Sequence, residues 1–85
     1  MSTLQIIRDC CKEQVLLEMT YEKAPGVFGQ YFLEPYSFKP LENPDSLMAF
    51  DISTNAIKRF KFGKIRQAWK TARKYSPKYP IDIGS

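Results

Sequence analysis

The sequence contains no histidine. That removes the usual general base near neutral pH, the Ser-His-Asp arrangement and any imidazole metal site. The two cysteines, Cys10 and Cys11, are adjacent. A bridge between neighbours closes a strained ring, and two thiols alone do not complete a structural zinc site. They are expected as reduced thiols of a reducing compartment, one packed into a core from a helix and the other facing outward. No apolar run approaches the ~20 residues that a membrane-spanning helix needs. Met1 to Gln5 has neither the basic patch nor the apolar stretch of a secretory signal. The expected location is the cytoplasm, with no membrane partner, no cofactor and no metal. No acid–base pair with suitable chemistry stands out, so no enzymatic activity is expected.

One stretch lacks acids altogether. From Lys58 to Lys78 there are nine basic residues (Lys58, Arg59, Lys61, Lys64, Arg66, Lys70, Arg73, Lys74 and Lys78) and no Asp or Glu. The net charge of +4 suits solubility as well as an anionic partner. The distribution is therefore the stronger signal.

What is present is globular in kind. Across 85 residues, 44% are hydrophobic, 14% aromatic and 26% charged, a profile that folds. A chain this short buries only about 60–65% of the surface its unfolded form exposes. That implies one domain over residues 1–85 with a compact core, not a large enclosed active site.

Leu4, Ile7 and Cys11, widened by Ile6 and Cys10, recur at helical spacing and predict a helix over 3–12, capped by Ser2 or Thr3. From Gln14 the period changes to two. Val15, Leu17, Met19 and Tyr21 alternate with Leu16, Glu18, Thr20 and Glu22, which predicts a half-buried strand over 14–22. Pro25-Gly26 is a turn signal, with Gly26 free to take positive φ. Further strands are expected over 29–38, 46–52 and 56–62, with a loop over 41–45. Gly63 interrupts the pattern as a bulge or bend would. Residues 65–75 are ambiguous: Ile65, Ala68, Trp69 and Ala72 fit helical spacing, whereas Ile65, Gln67 and Trp69 fit a strand over 64–70. Residues 76–85 read as an extended tail pinned by Tyr79 and Ile81. A short helix followed by four or five short antiparallel strands implies a small, strongly bent sheet or β-barrel.

The order and punctuation of these strands resemble the WYL domain, a small bacterial β-domain with an Sm-like or SH3-like barrel topology. Val15 to Tyr21 matches its first strand, and Phe32-Leu33-Glu34-Pro35-Tyr36 matches its proline step. Leu47-Met48-Ala49-Phe50-Asp51 matches the strand that begins with the family's leucine. Lys58-Arg59-Phe60-Lys61-Phe62-Gly63-Lys64-Ile65 matches its basic motif. Asp45 and Ser46 stand in place of the signature tryptophan and tyrosine, and Lys58, Lys61 and Lys64 in place of arginines. The resemblance implies a regulatory, ligand-sensing module of the kind fused to DNA-binding domains in transcription regulators, binding nucleic acid or a nucleotide.

The candidate binding residues are Lys58, Arg59, Lys61, Lys64 and Arg66, with Tyr36 as a stacking ring. Strand alternation buries Phe60 and Phe62 and turns Arg59 and Lys61 outward; a bulge at Gly63 would add Lys64 and Arg66 to that stripe. The resemblance selects Lys58, Lys61 and Lys64. The expected partner is a single-stranded nucleic acid or nucleotide. The alternatives are a solvated strand whose lysines deter edge-to-edge pairing, and a protein-interaction or homodimerisation module seeded by Val27, Phe28 or Phe38.

Overall fold

The Ser2 hydroxyl accepts a hydrogen bond from the Gln5 amide (3.1 Å), satisfying one of the free amides of a first helical turn. The computed structural model describes residues 2–39 and 45–81, and its first element is helix α1, Thr3–Glu13. Gln14 ends the helix in the left-handed region (φ 54°), its amide reaching back to the Cys10 and Cys11 carbonyls. Five strands follow in one antiparallel sheet: β1 (Val15–Ala24), β2 (Val27–Lys39), β3 (Ser46–Asp51), β4 (Ala56–Lys61) and β5 (Ile65–Lys74). A 3-10 turn, Phe62–Lys64, separates the last two. No described helix is long and apolar enough to cross a membrane.

The strand order is β4-β3-β2-β1-β5. The fold is thus mainly β with an N-terminal helix, as expected, and the sheet is open: among the described residues no ladder joins β4 to β5. Two hydrogen bonds tie the end of β4 back to the rest of the sheet. The Lys61 amide donates to the Tyr21 hydroxyl of β1 (3.0 Å), and the Phe62 amide donates to the Asp45 carbonyl (2.9 Å).

Alternation places the core on one face. Leu17 and Met19 of β1, Leu33 and Phe38 of β2, Leu47 and Ala49 of β3, Phe60 of β4, and Ile65 and Ala68 of β5 meet Ile7, Cys10 and Cys11 of α1 there. Burying each large aliphatic or aromatic side chain contributes roughly 1.5–3 kcal/mol. Phe38 is fully buried, with the Arg8 guanidinium over its ring at 5.3 Å. It is therefore not the exposed dimer seed that the sequence suggested. Both cysteines are buried too, not one alone, because α1 rests on the sheet through consecutive positions of its last turns. The Cys10 and Cys11 thiols lie against the Leu16 carbonyl (3.9 Å) and the Pro35 carbonyl (3.5 Å). Burial pushes them up to about 11 and about 12 respectively.

The turns follow from residue chemistry. Gly26 takes φ +75° in the Pro25-Gly26 connection, and Asn55 takes φ 58° where Ile52–Asn55 joins β3 to β4. β2 is longer than the spacing predicts and runs through Pro35. Proline is tolerated there because the ladder with β1 stops at Leu17↔Leu33, so no β1 bond is lost. Tyr36 is the extra residue of a bulge between Pro35↔Ala49 and Ser37↔Met48.

A second irregularity resolves the ambiguous segment. Tyr21 pairs with Ile65 and Thr20 with Gln67, which leaves Arg66 as an extra residue in β5. Ile65 and Ala68, three apart, consequently share the buried face, and a bulged strand imitates helical spacing. There is no bulge at Gly63. The 3-10 turn makes the bend, and Phe62 lies half-buried against Phe38 with ring centroids 5.7 Å apart. The expected loop over 41–44 and the tail over 82–85 lie outside the described residues.

Candidate anion-binding edge

β4 is an edge strand, paired only with β3. Phe60 faces Leu47 and Lys58 faces Ala49 on the helix-covered side. Arg59 and Lys61 therefore point to the other side, about 7 Å apart from the rise of a strand. Lys64 follows at the end of the 3-10 turn, exposed like Arg59 and Lys61.

Folding brings acids from elsewhere onto four members of the basic run. Lys58 Nζ meets the Asp51 carboxylate at 3.0 Å and lies 5.5 Å from the Tyr31 ring centre. Asp51 is almost fully buried, and its other oxygen accepts from the Ser53 amide (3.0 Å) and hydroxyl (2.8 Å). Burial pushes that carboxyl up, but the hydrogen bonds from Lys58 and Ser53 outweigh it and hold Asp51 below its usual range. Arg66 grips Glu22 through Nε (2.8 Å) and Nη2. The Gly26 amide, and then Arg66, hold the Glu22 carboxyl down. Lys70 pairs with Glu13 (2.7 Å), a hydrogen bond that raises its ammonium above the ordinary lysine value. Lys78 pairs with Glu34 (2.9 Å), and Lys74 donates to the Glu13 carbonyl (2.9 Å).

Arg59, Lys61, Lys64, Arg73 and Lys74 are left without a hydrogen-bonded carboxylate among the described residues. The first three cluster at the end of β4 and the following turn, and Lys64 also feels Glu22 through space. Of the residues singled out from sequence, Arg59, Lys61 and Lys64 thus share one exposed region. Lys58 turns to the opposite face and stabilises the β3–β4 hairpin, and Arg66 is tied to the β1–β2 hairpin.

Tyr36 is not available for stacking. It is 4% exposed, its hydroxyl donates to Glu34 (2.7 Å), and the rings of Tyr75 and Tyr79 meet it edge-on. Burial pushes its hydroxyl up to about 12. The bulge at Tyr36 and the returning tail cause this burial, and neither is visible in local spacing.

The accessible rings lie elsewhere. Phe32 and Trp69, 41% and 40% exposed, both stand opposite Glu18 on the face away from α1. Phe32 is not among the residues singled out from sequence. Its signal is the consecutive apolar run Tyr31-Phe32-Leu33, in which a strand must turn one member outward.

These features define a small, mainly β module with a basic edge. No family model matches the sequence, and no curated protein matches it. Among solved structures the chain is similar to proteasome accessory factor B/C (PafBC) of Arthrobacter aurescens, with a TM-score of 0.69 over 91% of this chain at 13% identity. The chain spans 13% of the length of that protein. The likeness is one of fold.

Proposed function

We propose that this chain is a non-enzymatic, WYL-like regulatory module of the cytoplasm that binds single-stranded nucleic acid or a nucleotide along its basic edge. Arg59, Lys61 and Lys64 supply the charge, and Trp69 and Phe32 offer ring faces on the sheet. The observation that carries the reading is the selective pairing within the basic run. Neighbouring lysines and arginines are neutralised by acids from other strands, while these three stay together, exposed and free of a hydrogen-bonded carboxylate among the described residues. The side-chain link between Tyr21 and Lys61 supports a small Sm-like barrel opened between β4 and β5. The match to a segment of a longer protein fits a module of the kind that larger proteins carry.

The test is fluorescence titration of Trp69 with short single-stranded DNA, RNA and nucleotides. Three phosphate contacts predict a salt slope near −2, so affinity should fall about 20-fold between ~50 and ~200 mM salt. Lys61→Glu/Lys64→Glu should abolish binding without disturbing the fold, because neither lysine holds an ion pair among the described residues. Arg73→Glu, at the far end of β5, should change it little. Absence of saturable binding in the wild type would overturn the reading. A dimeric mass would then favour self-association through Val27 and Phe28, which are 50% and 57% exposed at the β1–β2 hairpin tip.

A further inference from the structure

The face of the sheet opposite α1 has its own buried charge. Glu34 of β2 is 4% exposed, although alternation places it on the side away from the helix-covered core. What covers it is the segment after β5. Tyr75 is fastened through its amide to the Gln14 carbonyl (2.9 Å) and through its hydroxyl to the Pro35 carbonyl (3.0 Å). The chain then crosses the sheet as a strap over residues 75–81, and Ile81 packs against the core.

Lys78 occupies the middle of the strap. Its Nζ lies 3.1 and 2.9 Å from the two Glu34 oxygens and 4.6 Å from the centre of the Phe50 ring. The Tyr36 hydroxyl organises the same point twice: it donates to Glu34 Oε1 (2.7 Å) and accepts from the Lys78 amide (2.8 Å). A bidentate carboxylate contact, a ring face and a phenol fixing the carboxylate are what a primary ammonium needs on leaving water. All three of those groups belong to β2 and β3. Lys78 is brought to them by a segment without regular secondary structure, and its side chain remains 50% exposed.

We propose that Glu34, Tyr36 and Phe50 form a primary-ammonium binding site that Lys78 fills in cis, and that a lysine of an extended partner segment takes the same site when the strap lifts. The ligand class is a lysine side chain. The site is independent of the basic β4 edge, and its ligand carries the opposite charge.

Chemical rescue tests this directly. Lys78→Ala should lower the thermal unfolding midpoint, and ~50 mM n-butylammonium should restore about half of the loss, as expected for a ligand that binds only the folded state. The same concentration of sodium chloride should restore none. In Glu34→Gln/Lys78→Ala the rescue should disappear. A peptide of the strap's own sequence, Ser-Pro-Lys-Tyr-Pro, should shift the amide resonances of Tyr36 and Phe50 in Lys78→Ala, and the peptide with Met for Lys should not. Rescue by sodium chloride alone, rescue that survives Glu34→Gln, or no rescue by n-butylammonium would each overturn the proposal. Should Lys78→Ala not fold, Lys78→Met keeps the aliphatic stem and carries the same titration. Should neither fold, recovery of the circular dichroism spectrum in butylammonium but not in sodium chloride is the expected result, and equal recovery in both refutes it.

Discussion

Asp51 and Glu34 are both buried carboxylates met by a lysine, and they are built in opposite ways. Asp51 finds everything within its own hairpin: Ser53 two residues on and Lys58 seven residues on. Glu34 is met by a lysine 44 residues away, on a strap outside the sheet. The first pair forms whenever β3 and β4 pair. The second forms only if the whole sheet is assembled and the strap is laid over it. A uniform run of basic residues therefore performs several unlike tasks. Lys58 and Lys78 cover buried acids, Arg66 and Lys70 fasten hairpin and helix ends, and Arg59, Lys61 and Lys64 are left for a partner.

The largest effect should come from breaking the local pair. Lys58→Ala leaves Asp51 charged and buried, and should cost about 2–3 kcal/mol in urea denaturation. That figure is reduced from the several kcal/mol of a wholly buried pair because the Lys58 side chain is 36% exposed. Asp51→Asn in the same chain should recover part of the loss, since the amide oxygen still accepts from Ser53. Lys78→Ala should cost less than Lys58→Ala, because a released strap lets water reach Glu34 whereas the hairpin cannot open around Asp51. Equal losses would show that the strap is as fixed as the hairpin.

Acid should separate wild type from variant next. The Asp51 carboxyl is held below its ordinary value of 3.8 by Lys58 and Ser53. A lowered folded-state value stabilises the fold at pH above the unfolded value, and that stabilisation fades as pH falls through the folded one. The unfolding free energy of the wild type should therefore drop more steeply below about pH 4 than that of Asp51→Asn. Parallel pH profiles in the two proteins would remove Asp51 as the source.

What could be read from the sequence was what depends on near neighbours. Pro25-Gly26 turns as its chemistry demands, and Leu17 and Met19 alternate inward. Ser2 caps the helix, and Arg59 and Lys61 point away from Phe60. What could not be read depends on partners that meet only after folding. Spacing alone does not show that Glu22 from β1 would claim Arg66, or that Glu34 would claim Lys78. Tyr36 was misread for the same reason: the strap that buries it lies some forty residues downstream. Residues 65–75 stayed ambiguous between helix and strand for a different reason. The extra residue at Arg66 puts Ile65 and Ala68 on one face, so the apolar spacing carried the period of a helix while the backbone was a strand.

Gly63 offers the smallest effect and the sharpest contrast with Gly26. Gly26 sits at φ +75°, where a side chain is strained. Gly63 has no positive φ, and a Cβ built there meets nothing within 4 Å. The bend between β4 and β5 is instead held by its flanks: the Phe62 amide on Asp45, the Phe62 ring on Phe38, and Arg66 Nη1 on the Gly63 carbonyl (3.0 Å). Gly63→Ala should accordingly change stability by no more than about 0.5 kcal/mol, as for an ordinary surface position. Gly26→Ala should destabilise by more than about 1 kcal/mol. Denaturation midpoints measured side by side decide it, and a loss at Gly63 as large as that at Gly26 would mean that the turn joining the two sheet edges depends on glycine after all.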